Sequence, residues 1–440
     1  MSWSGETVGP LAEAFDSLPG MSGAVIAAAC VDDTGTSIRA CPADTPADGR
    51  FEIGSITKTM TATLLALLEA DGRLRLDDPI RLWVSAGDNG GITLRQLATH
   101  TSGLPRLAPN HNLSKADPAN PYVGFTFERA EEGLRQATVV PDAARLYSNF
   151  GYHLLGLVLE RASGRPYQEL IAERLLKPLA MTCSGVGSDG GGIPLPGHGS
   201  GGEVPRWDDQ PLGAGGLDST IGDLARYAQA CLDPPRGPLG AAITAAMTPQ
   251  EVPPGDGGQR QALAWLVLDS GIRIHDGGTG GFTASVLVDP ARGRAVAMLA
   301  SCGPLDIPSL SKAGLLALAG DDPRAVRPQP PGPEWDYRAR EAVQLLLDGR
   351  PEDFLARTTS EFQAAISAEQ LNTAVRGRMQ GLGPAVEVVV SCRRPSSYVV
   401  ADVTITFASG TVAALMHFEP SGQIAGALLL PPPEVQAPLR

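Results

Sequence analysis

Lysine is almost absent from this chain. Among its 35 basic residues the only lysines are Lys58, Lys115, Lys177 and Lys312, so arginine carries nearly all of the positive charge. Acidic residues number 48, which gives a formal net charge of −13. Proteins that bind nucleic-acid phosphates need clustered basic side chains, so this balance excludes nucleic acid as the expected partner. Arginine stays protonated in proteins whereas a desolvated lysine can lose its proton, so each lysine is a candidate for proton chemistry.

Long apolar runs are also missing. No segment approaches 18 uninterrupted apolar residues, and the first residues, MSWSGETVGPLAEAF, lack the basic start and apolar stretch of a signal peptide. These absences predict a cytoplasmic protein without a membrane span. Cysteines occur only at positions 30, 41, 183, 231, 302 and 392, without paired spacing, which predicts buried thiols rather than disulfides or a zinc site.

The length of 440 residues predicts two domains rather than one core. The segment DDPRAVRPQPPGPEW, residues 321–335, is rich in proline and predicts a linker. Residues 185–216 are rich in Gly and Pro, which predicts a long irregular insert of the kind that frames a site. The elements before the linker run in the order strand pair, helical block, insert and strand block. This order predicts an antiparallel sheet whose first and last portions meet, with helices around it. Residues 336–440 predict a small α+β domain with helices followed by four antiparallel strands. The predicted domains are therefore residues 1–320 and 336–440.

The segment FEIGSITKTM places Ser55 and Lys58 three positions apart, where an apolar helical run begins. Residues at i and i+3 share a helix face, so the hydroxyl and the amine would be neighbours near a helix N-terminus. This arrangement is typical of an activated serine nucleophile. The alternative is that Ser55 only caps the helix. A second copy of the pattern, SLSK at 309–312, shows that the pattern alone does not decide between the two.

Two further segments carry groups that would complete such a site. LYSNFGY presents Tyr147 and Asn149 just before an apolar helix, and IRIHDGG presents His275 with glycines at 277 and 278. Glycines at a strand end allow close approach of a substrate and leave N–H groups available for an oxyanion. Taken singly, Tyr147 is equally typical of a half-buried aromatic residue, Asn149 of a helix N-cap, and His275 of a strand residue with satisfied hydrogen bonds.

Taken together, these segments resemble the serine β-lactamase and penicillin-binding-protein family, in its class C-like branch, which also holds esterases, D-aminopeptidases and acyltransferases. The resemblance covers about residues 10–320 and includes the segments FEIGSITKTMTATLLALLEADGRLRLDDPI, TLRQLATHTSGLP, YSNFGYHLLGLVLERASG, LLKPLAMTC, GAGGLDSTIGDLARY and HDGGTGGF. It implies a β-lactamase-like α+β fold, an antiparallel sheet flanked by helices with a helical subdomain. Residues 336–440 resemble the small NTF2-like domains that some of these enzymes carry.

The resemblance also implies a role for each candidate residue. Ser55 would attack a carbonyl carbon and form an acyl-enzyme. Lys58 and Tyr147 would handle the proton, and either could be the general base. Asn149 would hold Lys58 and the substrate amide. The backbone N–H groups of Ser55 and Gly278, the latter on the edge strand of the sheet, would form the oxyanion hole. The second copy, at 309–312, matches no functional motif of the family.

His275 marks a departure from the family pattern. It stands where penicillin-recognising members carry the lysine of Lys-Thr-Gly, so a permanent positive charge is missing and a peptidoglycan carboxylate is a less suitable ligand. We therefore expect a cytoplasmic serine hydrolase that cleaves an ester or amide of an intracellular small molecule or peptide through acyl-Ser55, without metal or organic cofactor. One alternative is a transacylase that passes the acyl group to an amine or alcohol, as in amide formation or peptide cyclisation. The other is an inactive binding protein.

Overall fold

The computed structural model describes residues 24–111, 121–140, 145–187, 190–199, 202–207, 212–252, 259–303, 307–321, 333–359, 362–363, 366–393, 399–419 and 421–430. The chain divides into two compact units, Met1–Val326 and Arg327–Arg440. Within the residues described, no helix has both the length and the apolar character that a bilayer span requires.

The described strands of the first unit build one large antiparallel sheet, one four-stranded sheet and one two-stranded hairpin. The bounds are β1 Ile26–Asp32, β2 Gly35–Cys41, β3 Gly49–Glu52, β4 Gly185–Val186, β5 Ile193–Pro194, β6 Gly197–Gly199, β7 Gly202–Val204, β8 Leu217–Ser219, β9 Arg260–Gln261, β10 Leu266–Val267, β11 Arg273–Gly278, β12 Thr283–Asp289 and β13 Arg294–Ala300. The large sheet has the order β2-β1-β13-β12-β11-β10-β9, so the first strands pair with the last, as the sequence predicts.

Helices cover both faces of the large sheet. Their bounds are α1 Thr57–Ala70, α2 Leu94–Ala98, α3 Phe127–Gln136, α4 Asn149–Ser163, α5 Tyr167–Ile171, α6 Leu212–Gly215, α7 Ile221–Leu232, α8 Pro238–Met247 and α9 Ile307–Ala319, with a 3-10 turn at Gly54–Ile56. Helix α1 is buried from Thr57 through Leu68, and apart from Lys58 these residues are apolar or small and polar because the helix lies inside the helical layer.

Strand β1 shows why the central strands are apolar on both sides. Ala27, Ala29 and Val31 belong to the main core with the helical layer, whereas Ile26, Ala28 and Cys30 belong to a second core with helix α9. Alternate side chains of a strand point to opposite faces, so a sheet covered on both faces selects apolar residues throughout. The second Ser-Xaa-Xaa-Lys copy lies on α9, whereas Ser55 and Lys58 lead into α1, which packs in the main core.

The insert at 185–216 is more regular than its Gly and Pro content predicts. It contributes β4 and β5 to a sheet with the order β4-β8-β3-β5 and forms the hairpin of β6 and β7. The expectation of a long irregular loop is therefore wrong in part. The pairing depends on partners far away in sequence, such as Gly49 with Ile193, which the local composition does not reveal.

The second unit has its own core. Its helices are α10 Pro333–Leu347, α11 Pro351–Leu355 and α12 Ala368–Met379, and its strands β14 Ala385–Arg393, β15 Val399–Phe407, β16 Gly410–Phe418 and β17 Ile424–Leu430 form an antiparallel meander. Helix α10 begins three residues inside the predicted linker, because proline is well accepted in the first turn of a helix. Residues 322–332 of that linker lie outside the described residues, and the NTF2-like assignment stays a prediction.

Candidate active site

Ser55 lies in the turn that leads into α1, next to the end of β11. Gly54 precedes it at φ +47°, and a Cβ atom at Gly54 would lie only 2.8 Å from both N and O of Gly278. A Cβ atom at Gly277 would lie 2.0 Å from the carbonyl oxygen of Ile53 and 3.1 Å from N of Ser55. No side chain fits between these backbones, so glycine is required on both sides. The contact places the two predicted oxyanion donors, N of Ser55 and N of Gly278, on adjoining backbone segments.

The predicted pair of hydroxyl and amine is in contact. Nζ of Lys58 lies 2.8 Å from Oγ of Ser55 and donates to the carbonyl oxygen of Ala214 at 2.7 Å. Lys58 is 0% exposed. Among the residues that the structure describes, no carboxylate forms an ion pair with it.

Burial without a counter-charge decides the protonation state of Lys58. Desolvation, assisted by the positive charge of Arg106, lowers the pKa of the amine well below its usual 10.5. The rings of Tyr147 and Tyr152 lie 5.0 and 5.7 Å from Nζ and supply no full negative charge. The arrangement therefore favours a neutral amine with a lone pair beside the serine hydroxyl.

Tyr147 completes the proton-handling group. Burial raises the pKa of its phenol, and a hydrogen bond with Ser55 partly opposes this shift. Its ring packs against His100, with the ring centroids 4.4 Å apart. A phenol with a raised pKa remains protonated at neutral pH, so Tyr147 is suited to donate a proton rather than to accept one.

Asn149 forms no hydrogen bond with Lys58 among the described residues, although the resemblance implies that it holds Lys58. Its Nδ2 lies 3.5 Å from the hydroxyl of Tyr122, and its buried Oδ1 has no hydrogen-bond partner in the described part of the chain. The carbonyl of Ala214 takes the contact with Lys58 that was expected from Asn149. The N-cap alternative is also wrong, because Ser148 caps helix α4 by accepting from N of Gly151 at 2.8 Å.

His275 lies on β11 with its ring centroid 6.5 Å from that of Tyr147. Its Nδ1 donates to the carbonyl oxygen of Asp276 at 2.7 Å, since a carbonyl can only accept, and this leaves Nε2 as an acceptor. Burial, together with the nearby Lys58, lowers the pKa of the imidazole to about 3. His275 is therefore neutral at physiological pH and does not replace the charge of a lysine.

Strand β11 is not the last strand of its sheet, contrary to the expectation that Gly278 lies on an edge strand. Strands β10 and β9 follow it, but β10 pairs only with Arg273 and Ile274. From His275 onward this side of β11 has no partner strand among the described residues. The short β10 thus leaves a local edge where the Ser55 turn fits.

The sequence did not reveal two contacts around the site. The first joins Ala214 to Lys58. Ala214 lies on α6, which packs closely on α4 because both helices carry glycine where they meet: a Cβ at Gly213 would lie only 2.9 Å from Cα of Gly156. His100, at φ +61°, accepts from N of Ser148 through Nδ1 at 3.1 Å and so orients the segment that carries Tyr147. The segments GAGG and ATHTSGLP already marked these regions as part of the resemblance, but gave these residues no role.

The insert at 185–216 does contribute to the surroundings of the site. Trp207 packs its ring against Tyr122, with centroids 5.6 Å apart, and a Cβ at Gly280 would lie 2.8 Å from its Nε1. Its backbone N–H donates to Oε1 of Glu52 at 2.6 Å. Burial raises the pKa of the Glu52 carboxyl to about 7, although hydrogen bonds with Thr279 and Trp207 oppose the shift.

The described geometry is that of a Ser-Xaa-Xaa-Lys site with a tyrosine beside it. The sequence profile of the Beta-lactamase family matches residues 11–320, and the chain belongs to this family. Its serine hydrolases share this motif.

Relatives and solved structures agree with this assignment. The D-alanyl-D-alanine-carboxypeptidase/endopeptidase AmpH of Escherichia coli is 33% identical over 197 residues, which are 41% of this chain and 49% of that protein. The chain thus spans about half the length of that curated relative. A class C beta-lactamase structure, the mutant Y150F, has a TM-score of 0.61 at 21% identity and covers 72% of this chain and 97% of its own. A D-stereospecific amidohydrolase from Streptomyces sp. has a TM-score of 0.55 at 26% identity, with 70% and 97% covered.

Proposed function

We propose that the protein is a serine hydrolase that cleaves an ester or amide bond through an acyl-Ser55 intermediate. The observation that carries this proposal is the distance of 2.8 Å between Nζ of Lys58 and Oγ of Ser55, in a position that is 0% exposed. An amine that burial holds neutral can take the hydroxyl proton as Oγ attacks a carbonyl carbon. A cationic amine could not.

The proposed reaction uses the remaining groups in turn. As the bond between Oγ and the carbonyl carbon forms, the proton of Ser55 moves to Nζ of Lys58, and the N–H groups of Ser55 and Gly278 bind the oxyanion. When the bond to the leaving group breaks, the phenol of Tyr147 donates its proton to that group and recovers one from Lys58. Water then attacks the acyl-enzyme by the same route in reverse. The raised pKa of Tyr147 supports Lys58 as the first proton acceptor.

The substrate class is inferred from relatives and from His275 together. The names of AmpH and of the D-stereospecific amidohydrolase describe cleavage of peptide and amide bonds. The neutral His275 favours a substrate that needs no lysine at this position of β11. We therefore propose a small-molecule or peptide ester or amide. An intracellular location is part of the proposal, and fractionation of cells that express the chain tests it.

Intact-mass spectrometry with para-nitrophenyl acetate tests the mechanism. Wild-type protein should gain one acetyl group, and Ser55→Ala should gain none, whereas Ser309→Ala in the second motif copy should react like wild type. Acylation of Ser55→Ala at the wild-type rate would refute the proposal.

The same experiment separates hydrolysis from acyl transfer. An acetyl group that water removes quickly supports the hydrolase. An acetyl group that persists in water and leaves only when a simple amine is added, with amide as product, identifies a transacylase instead. Removal of residues 336–440 should leave acetylation intact, because the proposed chemistry uses only residues of the first unit.

A further inference from the structure

Arg106 stands beside the candidate active site with an unused charge. It lies in the loop between α2 and α3, and its guanidinium carbon is 5.3 Å from the ring centroid of Tyr147. The side chain is exposed. Within the described residues, no hydrogen bond from its guanidinium and no ion pair is present.

Several other arginines of the first unit are held by carboxylates or carbonyl oxygens, and Arg106 differs from them in its contacts. Arg50, Arg95 and Arg161 of the same unit each pair with a carboxylate. Arg129 also stacks on a ring, that of Phe125, but donates to the carbonyl oxygens of Gly124 and Asn110. Among the described residues, Arg106 has the contact with the Tyr147 ring alone, so its five N–H donors are available to a ligand there.

The acidic side chains next to the site do not neutralise this charge. Glu52 accepts from N of Trp207 and contacts Thr279, and Asp276 accepts from the hydroxyls of Ser285 and Ser311. The positive charge of Arg106 instead acts on the ionisable groups of the site. It lowers the pKa of Lys58, and it partly offsets the increase that burial causes in the pKa of Tyr147. On the Tyr147 side of the site, the described residues therefore include no carboxylate that pairs with this positive charge.

We propose, building on the proposed hydrolase function, that Arg106 is a specificity-determining residue that binds a carboxylate of the substrate beside Tyr147. A guanidinium binds a carboxylate with two parallel hydrogen bonds, and stacking on Tyr147 keeps its plane oriented for this contact. This subsite is distinct from the position of His275, which lies on β11 and is neutral. An ester or amide with a free carboxylate is thus the preferred substrate.

Two ester pairs test the subsite from either side of the scissile bond. The acyl pair is para-nitrophenyl adipate monoester and para-nitrophenyl hexanoate, and the leaving-group pair is meta-carboxyphenyl acetate and meta-methylphenyl acetate. In wild-type protein, kcat/KM should favour the carboxylate ester in at least one pair. Arg106→Gln should reduce that ratio about tenfold, and Arg106→Glu should reverse it. Because the two esters of a pair are compared in the same protein, any effect of Arg106 on proton transfer by Lys58 changes both kcat/KM values alike and cancels in their ratio.

A matched control and a salt series separate this role from a structural one. Arg129→Gln removes one exposed stacked arginine away from Tyr147 and should leave both ratios unchanged. The wild-type preference should weaken as ionic strength rises, and the ratio of Arg106→Gln should not. Turnover of all four esters with ratios that Arg106→Gln does not alter would overturn this inference but leave the hydrolase proposal intact. Absence of both turnover and acylation with every ester would contradict the hydrolase proposal, and this inference with it.

Discussion

Arg50 and Lys58 are both buried basic side chains of the first unit, but their electrostatic surroundings are opposite. Arg50 is 2% exposed, pairs with Asp218 at 2.9 Å, and donates to the carbonyl oxygens of Gly187 and Gly190. Lys58 is 0% exposed and has a hydroxyl and a carbonyl as partners, with no carboxylate among the described residues.

The difference separates a structural charge from a reactive amine. Arginine cannot lose its proton in a protein, so a buried arginine requires an anion beside it. Asp218 is that anion for Arg50, and it forms a second ion pair with Arg206 at 2.6 Å. This cluster ties β3, which leads to Ser55, to β8. Lys58 has no such partner, so burial shifts it toward the neutral form that proton transfer needs. The presence or absence of a counter-charge thus distinguishes the two functions.

Substitution of Lys58 should give the largest effect. Lys58→Arg keeps a cation but removes the proton acceptor, so we expect acylation by para-nitrophenyl acetate to slow by about 10³-fold, nearly as much as in Lys58→Ala. Lys58→Met should be equally slow yet melt at a higher temperature than wild type, because it removes a buried polar group. Lys177→Arg, at an exposed position, is the control for both measurements. An active Lys58→Arg protein would show that a positive charge at this position is enough for acylation, and Lys58 would then not differ from Arg50 in the way described above.

Substitution of Asp218 should affect stability instead of chemistry. Asp218→Asn leaves the buried Arg50 and the partly exposed Arg206 without their anion, and we expect a loss of about 3 kcal/mol in the free energy of unfolding, measured with denaturant. Asp77→Asn removes an exposed partner of Arg95 and should cost less than about 1 kcal/mol. If Asp218→Asn were as mild as Asp77→Asn, the paired cluster would not be a structural requirement.

The sequence predicted the parts of the site that depend on local spacing or on a recurring motif. Ser55 and Lys58 meet because positions i and i+3 adjoin on a helical turn, and the meeting of the first and last strands follows from the order of elements. The partner of Lys58 could not be predicted in this way, since the carbonyl of Ala214 arrives through close packing of α4 and α6. For the same reason the sequence implied Asn149 as the partner of Lys58, and no motif marked Arg106.

Asp276 extends the comparison to a half-buried acid that pairs with no cation among the described residues. Its Oδ1 accepts from Ser285 and Ser311 at 2.6 Å each, and burial raises the pKa of the carboxyl from 3.8 to about 6. Because the native state holds the proton more tightly than the unfolded chain, this group makes stability fall as pH rises from about 4 to about 6.

The third prediction uses this pH dependence and is the smallest in effect. The Asp276→Asn side chain cannot ionise, so the variant should lack this loss of stability. The free energy of unfolding of the variant minus that of wild type should therefore rise by about 1–2 kcal/mol from about pH 4 to about pH 6. We expect no larger change because Asp276 is partly exposed to solvent. Denaturant unfolding of both proteins at several pH values measures it. A difference that does not change with pH would show that an unpaired buried acid keeps its charge here, and would weaken the explanation given for Lys58.

The close contact of residues 53–55 with Gly277 and Gly278 has a consequence for how this enzyme family diversifies. The proposed oxyanion donors are held by backbone against backbone, with no side chain between them. Amino-acid changes in the surrounding walls, such as those at Arg106, Trp207 or His275, can therefore alter which molecule is accepted without moving these donors. The same contact leaves almost no room for variation at the three glycines themselves. Natural selection and protein engineering would then change the substrate through substitutions of the side chains around the site, while the reacting groups stay the same.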